Sequence, residues 1–524
     1  MGREPAPNNL CLTEGAATWP AWRKAFSFPV LLGALLVAGA FASTSGSGGV
    51  VGSRIFADDD LWWHLTVGQR ILATGTWPTS DLYSFTVPGA PWVSSQWFGE
   101  VVMALAARMA GWQGLVGLLV GLAAALILLV YYYAYLRCGN SKAAFLACPL
   151  MLPMVAPFLT GRPNVLGYVF LLIVLISLER FRQGRPKLLW TLPGVFLLWV
   201  NTHGTFVLGL MALGVYWVSG LVRFRHRWLV SESWTAAQRR QLALVSLLCT
   251  LVLPLTPYAS RLAAYPLEMT LFQRITVSTN GEWRPLWANN GPWGYVFLGL
   301  LLFFVLAQAF SGPLVYRLEE VLLCLFAVCE SLLHIRFLFL FAIVFAPLLA
   351  VLLGRWVPVY HLERDKPVLN AVLMGLIVAG LAAAYPSNPA LRKVAEREYP
   401  KGAVDFLRSH PEIGRTFNED WGGYLIWSGR KVFFDGRRDF YEYAGVFSDY
   451  ISIVNRDPAT QFLLRKYGVK SCLLKRGAPL DTFLRTLPDW EQVYSDELSS
   501  FYVLRSRAGK FTAGTNPLPA PARP

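Results

Sequence analysis

The stretch "FADDDLWWHL" at residues 56–65 sets three consecutive aspartates against two tryptophans and a histidine. It closely follows the first long apolar segment of a 524-residue chain in which 55% of the residues are hydrophobic and 15% are charged. That composition is typical of a polytopic membrane protein. The acidic triplet is therefore expected where a membrane span gives way to an external loop.

Apolar runs continue outward from this stretch on both sides, and a run of roughly 20 apolar residues is long enough to cross a bilayer. We predict about eleven spans, at residues 27–47, 112–135, 143–160, 164–180, 188–201, 204–222, 241–257, 292–310, 318–333, 336–353 and 367–385. The predicted fold class is a polytopic α-helical membrane protein. The transmembrane domain is taken as residues 27–385.

The formal net charge of +15 raises the question of nucleic acid, but the basic residues lie singly or in short loops between spans. This scatter forms no single basic face, so we predict no nucleic-acid partner. The positive-inside rule places the basic loops 180–187, 223–228 and 354–366, together with the N-terminal segment 1–26, in the cytoplasm. The first loop, residues 48–111, and the chain beyond 386 are then outside.

The first apolar segment has two interpretations. The small residues of "AFA" at 40–42 could serve as a signal-peptide cleavage site, but we predict an uncleaved anchor. The aspartates lie outside in either case. The seven cysteines show neither a disulfide framework nor zinc-ligand spacing.

After residue 386 the chain changes character, because charges become frequent and long apolar runs stop. Residues 430–437, 468–476 and 499–506 are predicted as strands, and residues 457–468 as a helix. We predict a small extracytoplasmic α/β domain at 386–508, which is long enough to bury a core. The Pro-rich end, residues 509–524, is predicted to be disordered.

The aspartates themselves have a structural alternative. They could cap the helix that begins here and favour its positive end, with the tryptophans as interfacial anchors. One aspartate suffices for a cap, however, and three like charges repel one another. Because the first loop is also too long for a passive connector, we expect at least one aspartate to be functional.

Other polar residues fall at the predicted external ends of spans. Each has an ordinary explanation, such as a snorkelling arginine, a hydrogen-bonded histidine or a belt tryptophan. Together they predict an active site that is open to lipid and water. The residues are Arg162, Asn201, His203, Glu282, Trp283, His334 and Arg336.

Such a set suits transfer of a group from an anionic phosphate. Arginine and histidine neutralise the charge on a leaving phosphate, and guanidinium can hold it with two hydrogen bonds. A carboxylate beside the acceptor serves as general base. We therefore predict that Arg162, His203, Arg336 and His334 bind the donor phosphate. Glu282, Trp283, His64 and Glu100 are predicted on the acceptor side.

The order of parts resembles the GT-C superfamily of polyprenol-phosphate-sugar-dependent glycosyltransferases: a first span, an acidic residue in a long external loop, many spans and an external C-terminal domain. The motifs "DDDLWWHLTVGQRIL", "GRPNVLGYVF", "WVNTHGTFVLG", "GEWRP" and "DWGGYLIW" are also similar to those of uncharacterised bacterial membrane proteins described as glycosyltransferase-like. The resemblance implies Asp60 as catalytic base, with Asp58 as its neighbour or substitute. It also implies a location in the bacterial inner membrane.

The predicted function is transfer of a sugar from a polyprenyl-phosphate carrier to an extracytoplasmic glycan, lipid or protein. Two alternatives remain: a transporter or flippase of lipid-linked sugars, and a non-catalytic envelope assembly protein. The second carboxylate of GT-C enzymes has no clear counterpart, with Glu100 and Glu282 as candidates. Asp60 and His64, four residues apart, make an incomplete metal site. We predict no cofactor and no metal.

Overall fold

The computed structural model describes residues 20–288, 291–312 and 314–505. Most of the predicted N-terminal segment 1–26 and all of the tail 509–524 lie outside these residues. The described chain is mostly helical. Its helices are α1 Ala21–Ala25, α2 Phe28–Ser43, α3 Asp60–Thr74, α4 Trp97–Cys138, α5 Ser141–Val155, α6 Asn164–Arg182, α7 Leu192–Val200, α8 Phe206–Ser219, α9 Ala236–Leu251, α10 Ser260–Phe272, α11 Arg274–Thr279, α12 Trp293–Phe310, α13 Leu318–Leu333, α14 Leu338–Leu353, α15 Pro367–Ala384, α16 Asn388–Glu398, α17 Lys401–Ser409, α18 Gly422–Trp427, α19 Arg438–Tyr443, α20 Val446–Val454, α21 Thr460–Lys466 and α22 Pro479–Thr486. The strands are β1 Phe224–Arg225, β2 Leu229–Ser231, β3 Tyr316–Arg317, β4 Thr416–Asn418, β5 Ser471–Lys475, β6 Trp490–Ser495 and β7 Ser499–Leu504.

The apolar runs form helices, as expected for a multi-pass membrane protein. Six helical segments of the described chain are long and apolar enough to cross a membrane: Trp97–Cys138, Ser141–Phe158, Asn164–Arg182, Trp293–Phe310, Ile335–Leu353 and Pro367–Ala384. Three shorter apolar helices, at Phe28–Ser43, Pro186–Val200 and Phe206–Ser219, also coincide with predicted spans. The total of about eleven spans stays a prediction.

Helix α4 is 42 residues long and breaks inside. Ala110 and Gly111 leave helical geometry, and Gly111 has a φ of 61°, which a side chain would strain. Just beyond the break, the Asn388 side-chain oxygen accepts the Gln113 backbone N–H at 3.0 Å. The break lies where the predicted first loop, 48–111, gives way to the predicted span 112–135.

Helix α3 packs directly against the first part of α4 and carries the acidic triplet at its start. The two backbones approach so closely at Gly68 that an added Cβ would lie 2.1 Å from the Glu100 carbonyl oxygen. Leu61, Trp62 and Leu65 of α3 are buried. This packing fixes the direction in which the start of α3 points.

Buried ion pairs join the end of α6 to the start of α13. Arg182 Nε lies 2.5 Å from Glu319 Oε1, and Arg317 Nη1 lies 2.8 Å from Glu179 Oε2. Arg137, at the end of α4, pairs with Glu320. The Arg182 and Glu319 side chains are only 8% and 0% exposed. The strands β1, β2 and β3 form a small sheet in the order β1-β2-β3, and Arg317 belongs to β3.

We expect Arg182→Ala to lower the free energy of unfolding by about 3–5 kcal/mol, because it leaves the Glu319 carboxylate buried without its cation. Arg182→Met combined with Glu319→Leu is expected to restore most of that loss. Thermal unfolding in detergent measures both. The control is Arg408→Ala, which breaks an exposed pair with Asp405 and is expected to cost at most about 1 kcal/mol.

The chain separates into two compact units: Met1–Trp77 with Val93–Val394, and Pro78–Trp92 with Ala395–Pro524. The predicted first loop, 48–111, therefore contributes residues to both units. In the second unit, Ser84 pairs with Val432 in a parallel bridge. The predicted domain boundaries at 385 and 508 stay predictions.

The second unit is built on a four-stranded sheet in the order β4-β5-β7-β6. Strand β4 runs parallel to β5, whereas β7 is antiparallel to both β5 and β6. The expected strands at 468–476 and 499–506 appear as β5 and β7, and the expected helix appears as α21. The expected strand at 430–437 was wrong: apart from the bridge at Val432, these residues form a loop.

That loop holds a buried arginine rather than an exposed recognition surface. Arg437 Nη1 lies 2.8 Å from Asp81 and its Nη2 lies 2.7 Å from Asp435, and the guanidinium stacks within 4.7 Å of the Trp92 ring centre. Asp435 and Arg437 are each 3% exposed. These charges are buried and paired with one another, and they fix the segment 78–92 within its own unit.

Candidate functional site

The Arg162 guanidinium contacts three carboxylates, two of them at the start of α3. Arg162 lies in the turn "TGRPN" between α5 and α6, and its Nε is 2.5 Å from Asp58 Oδ2. Its Nη2 lies 2.7 Å from Asp60 Oδ2, and its Nη1 lies 3.1 Å from Glu282 Oε1. Arg162 thus joins carboxylates from two separate motifs, "FADDDLWWHL" and "GEWRP". The Arg162 side chain is 26% exposed.

Local hydrogen bonds orient the two aspartates. The Asp60 backbone N–H donates to Asp58 Oδ1 at 3.0 Å, so Asp58 does cap the helix in part. The Trp63 indole N–H donates to Asp60 Oδ1 at 3.0 Å, which fixes that carboxylate one turn before the tryptophan. Capping and pairing with Arg162 therefore coexist in the same side chains.

Burial and the neighbouring charges shift the pKa values of this cluster in opposite directions. Burial raises the pKa of the Asp58 carboxyl, Arg162 lowers it, and Asp60 and Glu282 raise it again. For Arg162 burial lowers the pKa, but Asp58, Asp60 and Glu282 together raise it well above its ordinary value. Arg162 is thus a permanent cation. The three carboxyl groups around it, when ionised, carry more negative charge than its single positive charge balances.

A second arginine lies beside an aromatic platform. The guanidinium carbon of Arg336 is 4.4 Å from the Trp283 ring centre, a favourable cation–π distance. His334 Nδ1 donates to the Trp283 carbonyl oxygen at 2.7 Å. The short helical turn Gly281–Trp283 therefore carries both Glu282, which contacts Arg162, and Trp283, which contacts Arg336.

His203 lies in the turn between α7 and α8. The Thr205 backbone N–H donates to its Nδ1 at 3.2 Å, so the neutral ring carries its proton on Nε2. Burial, followed by the nearby Arg336, Arg162 and His64, lowers the pKa of His203 to about 3. Because both arginines affect this pKa, His203 lies near Arg162 and Arg336.

His64 and Glu100, both predicted on the acceptor side, contact each other. Their side chains are 1% and 0% exposed, and His64 Nδ1 lies 2.9 Å from Glu100 Oε1. The Ser94 hydroxyl donates to the other Glu100 oxygen at 2.5 Å. This buried pair joins α3 to α4. The acceptor role of both residues stays a prediction.

The prediction missed two residues near the cluster. Trp63 binds Asp60, and the three-residue spacing along a helix is the signal that could have indicated it. Tyr168, in α6, lies within electrostatic range of Arg336, Glu282 and Arg162. Its ring stacks 3.7 Å from that of Phe339, and no spacing in the sequence links the two.

No group of three or more His, Cys, Asp or Glu side chains in the described part of the chain is arranged to hold a metal ion. Asp60 and His64, which the sequence placed on one helix face, have different partners, Arg162 and Glu100. The predicted absence of a cofactor stays a prediction.

A small, mostly apolar pocket is lined by residues of α3, α4 and α6 and by the turn that carries Arg162. Thr160 and Arg162 are the polar residues of its lining. The aliphatic residues include Leu115, Leu119 and Leu122 of α4 and Val165 and Leu166 of α6. An apolar surface and a guanidinium are thus adjacent.

No protein-family model matches the chain, and no curated protein sequence matches it. Solved structures do. The Archaeoglobus fulgidus oligosaccharyltransferase tethered with an acceptor peptide containing the NVT sequon has 12% identity and a TM-score of 0.52, covering 87% of this chain and 69% of its own. The oligosaccharyltransferase AglB of the same organism, with an inhibitory peptide and a dolichol-phosphate, has 12% identity, a TM-score of 0.50 and the same coverages. ArnT from Cupriavidus metallidurans bound to undecaprenyl phosphate has 14% identity and a TM-score of 0.49, covering 92% of this chain and 97% of its own.

The two oligosaccharyltransferase structures show that this chain has a GT-C-like fold, and the resemblance predicted from the order of its parts is confirmed at that level. With its six apolar helices of spanning length, the chain is a multi-pass membrane protein whose structural neighbours are glycosyltransferases.

Proposed function

We propose that this protein transfers a sugar from a polyprenyl-phosphate carrier to an extracytoplasmic acceptor. The observation that carries the proposal is the contact of Arg162 with Asp58, Asp60 and Glu282, next to a second arginine on Trp283. This partly buried cluster of carboxylates and guanidinium groups supplies both a base and an anion-binding group. The GT-C-like fold supports the class of reaction.

Donor binding is assigned to the cations. A phosphate monoester or diester competes with the carboxylates for Arg162, because guanidinium binds phosphate oxygens with two hydrogen bonds. Arg336, the Nε2–H of His203, and His334 add further donors. The apolar residues that surround the small pocket beside Arg162 support an isoprenoid chain lying near this arginine. As the phosphate engages Arg162, the ion pair that holds Asp60 weakens.

Catalysis then falls to Asp60, with Asp58 as its neighbour. Asp60 accepts the proton of the acceptor hydroxyl or amine, whose heavy atom attacks the anomeric carbon. The bond from that carbon to the phosphate oxygen breaks, and the electron pair leaves with the polyprenyl phosphate, in an inverting displacement. Glu282 and Trp283 line the acceptor side.

The membrane arrangement belongs to the same proposal. We infer about eleven spans in a bacterial inner membrane, with a cytoplasmic N-terminus and an extracytoplasmic site and C-terminal unit. The loops 180–187, 223–228 and 354–366 support this orientation, since their basic residues favour the cytoplasm.

Lipid mass spectrometry of the purified protein tests the donor class. We expect polyprenyl phosphate to co-purify with the wild type and to be depleted roughly tenfold or more in Arg336→Ala, since a hydrogen bond to a charged group is worth at least a factor of that size. Arg185→Ala, an exposed arginine beyond the end of α6, is the control and should retain the lipid. Absence of the lipid from the wild type, even after addition of undecaprenyl phosphate, would contradict the proposal. Bound lipid without any transfer would favour a non-catalytic assembly protein.

A further inference from the structure

The second compact unit contains an open cavity of about 440 Å³. Cavities that bind small molecules typically measure roughly 300–1,000 Å³. Both chain segments of this unit contribute to the wall, with Phe85 and Pro88 from the short segment and the rest from the long one. The remaining lining residues are Leu407, Ile413, Gly414, Arg415, Thr416, Leu425, Gly429, Arg430 and Lys431.

The charged residues that line this cavity are all basic. Arg415, Arg430 and Lys431 line it, and no aspartate or glutamate does. Within the described ranges none of these three cations forms an ion pair with a carboxylate, whereas Lys466 and Lys475 of the same unit each do. Like charges held together repel one another. An anion in the cavity would remove that repulsion.

Backbone hydrogen bonds and one ring position Arg415 and Arg430. Arg415 Nη1 donates to the Tyr467 carbonyl oxygen at 3.0 Å, and its guanidinium carbon lies 5.6 Å from the Phe85 ring centre. Gly429, with a φ of 83°, makes the turn that lets the Arg430 N–H donate to the Leu425 carbonyl oxygen at 2.9 Å. Burial lowers the pKa of Arg430, as expected for a cation that has lost water without gaining a counter-ion.

We propose that this cavity binds an anionic saccharide, one that carries a carboxylate or phosphate group, with the anion on Arg415, Arg430 and Lys431 and the sugar ring against the apolar wall. Phe85, Leu407, Ile413 and Leu425 supply that wall. A small number of polar groups in an apolar pocket is the usual design for orienting a ligand. The identification of this saccharide as the acceptor of sugar transfer rests on the proposed function; the binding itself does not.

Calorimetry on the full-length protein in detergent tests the site with three probes: trigalacturonate for a carboxylate, glucose 6-phosphate for a phosphate, and maltotriose as the neutral match. We expect one or both anionic probes to bind, with affinity falling as salt rises, and maltotriose to bind at least tenfold more weakly. Arg430→Gln with Lys431→Gln should weaken anion binding roughly tenfold or more, because each lost charged hydrogen bond is worth at least that factor.

The matched control is Arg465→Gln with Lys470→Gln, which removes the same charge from exposed positions outside the cavity. It should bind like the wild type. Asp60→Asn should also bind like the wild type, so loss of sugar transfer and loss of this site are separable. Equal binding of anionic and neutral probes would overturn the proposal, as would unchanged binding in the cavity variant. Binding only to vesicles with anionic lipid, and to no saccharide, would overturn it in favour of a membrane surface.

Discussion

Sugar transfer is expected to fall by roughly 10²- to 10⁴-fold in Asp60→Asn, the range that a positioned general base contributes. The substitution is nearly isosteric, and the asparagine oxygen can still accept the Trp63 indole N–H that Asp60 accepts at 3.0 Å. The start of α3 should therefore keep its geometry while the base is lost. Turnover with polyprenyl-phosphate sugars prepared from host membranes is the measurement, with thermal unfolding as the check on folding.

The neighbouring aspartates make this test selective. Asp59→Asn introduces the same chemical change one residue away and should leave turnover within about twofold of the wild type, since Asp59 has no part in the proposed mechanism. Asp58→Asn tests whether Asp58 only lies beside Asp60 or can replace it as the base. If Asp60→Asn turned over like the wild type, Asp60 would not be the base.

Arg162→Ala is expected to have the second largest effect, on activity and on stability together. Transfer should fall by roughly 10²- to 10³-fold, the usual cost of removing one group that stabilises developing negative charge. Stability should fall by about 2–4 kcal/mol, less than for a fully buried ion pair because the cluster is partly exposed. Arg162→Lys keeps the charge but not the forked geometry, so it should regain stability more fully than activity.

The stability loss should also depend on pH in a defined direction. Without Arg162, only the hydrogen bond from the Asp60 backbone N–H still opposes the burial and the neighbouring carboxylates that raise the pKa of Asp58 in the folded protein. A carboxyl with a raised folded pKa is favoured while it is protonated, and that stability is lost as the pH rises from about 4 through the raised value. The variant should therefore lie closer to the wild type in melting temperature at pH 5 than at pH 8. A deficit that is larger at pH 5 would contradict this account, and adding Asp58→Asn should flatten the dependence.

The sequence was a good guide wherever one residue type at one place has few physical explanations. Long apolar runs give helices because the backbone in a bilayer must satisfy its own hydrogen bonds, and each predicted span coincides with a helix. Asp58 and Asp60 were predicted from the acidic triplet, and Arg162 and Glu282 from polar residues at span ends. The structure brings these four together. Their roles in catalysis remain predictions.

The contacts that the sequence could not predict have a common physical origin, because burial depends on packing between segments distant in the sequence. Helical spacing placed His64 on the face of Asp60, but it gave no sign that the close approach of α3 and α4 at Gly68 puts His64 against Glu100. Similarly, no residue near Arg437 in the sequence indicates that Asp81, some 350 residues earlier, supplies the partner that lets Arg437 be buried. A pattern within one segment carries no information on such partners.

The segment 78–92 has a consequence for how the protein is made. Its backbone pairs with Val432 and its Asp81 carboxylate with Arg437, residues that leave the ribosome more than 300 positions later. During synthesis this short piece must wait, incomplete, until almost the whole polypeptide has been translated. To produce the second unit alone, residues 78–92 should therefore be fused to the part of the chain that begins at residue 395. A fragment that simply starts at residue 395 would lack the segment 78–92.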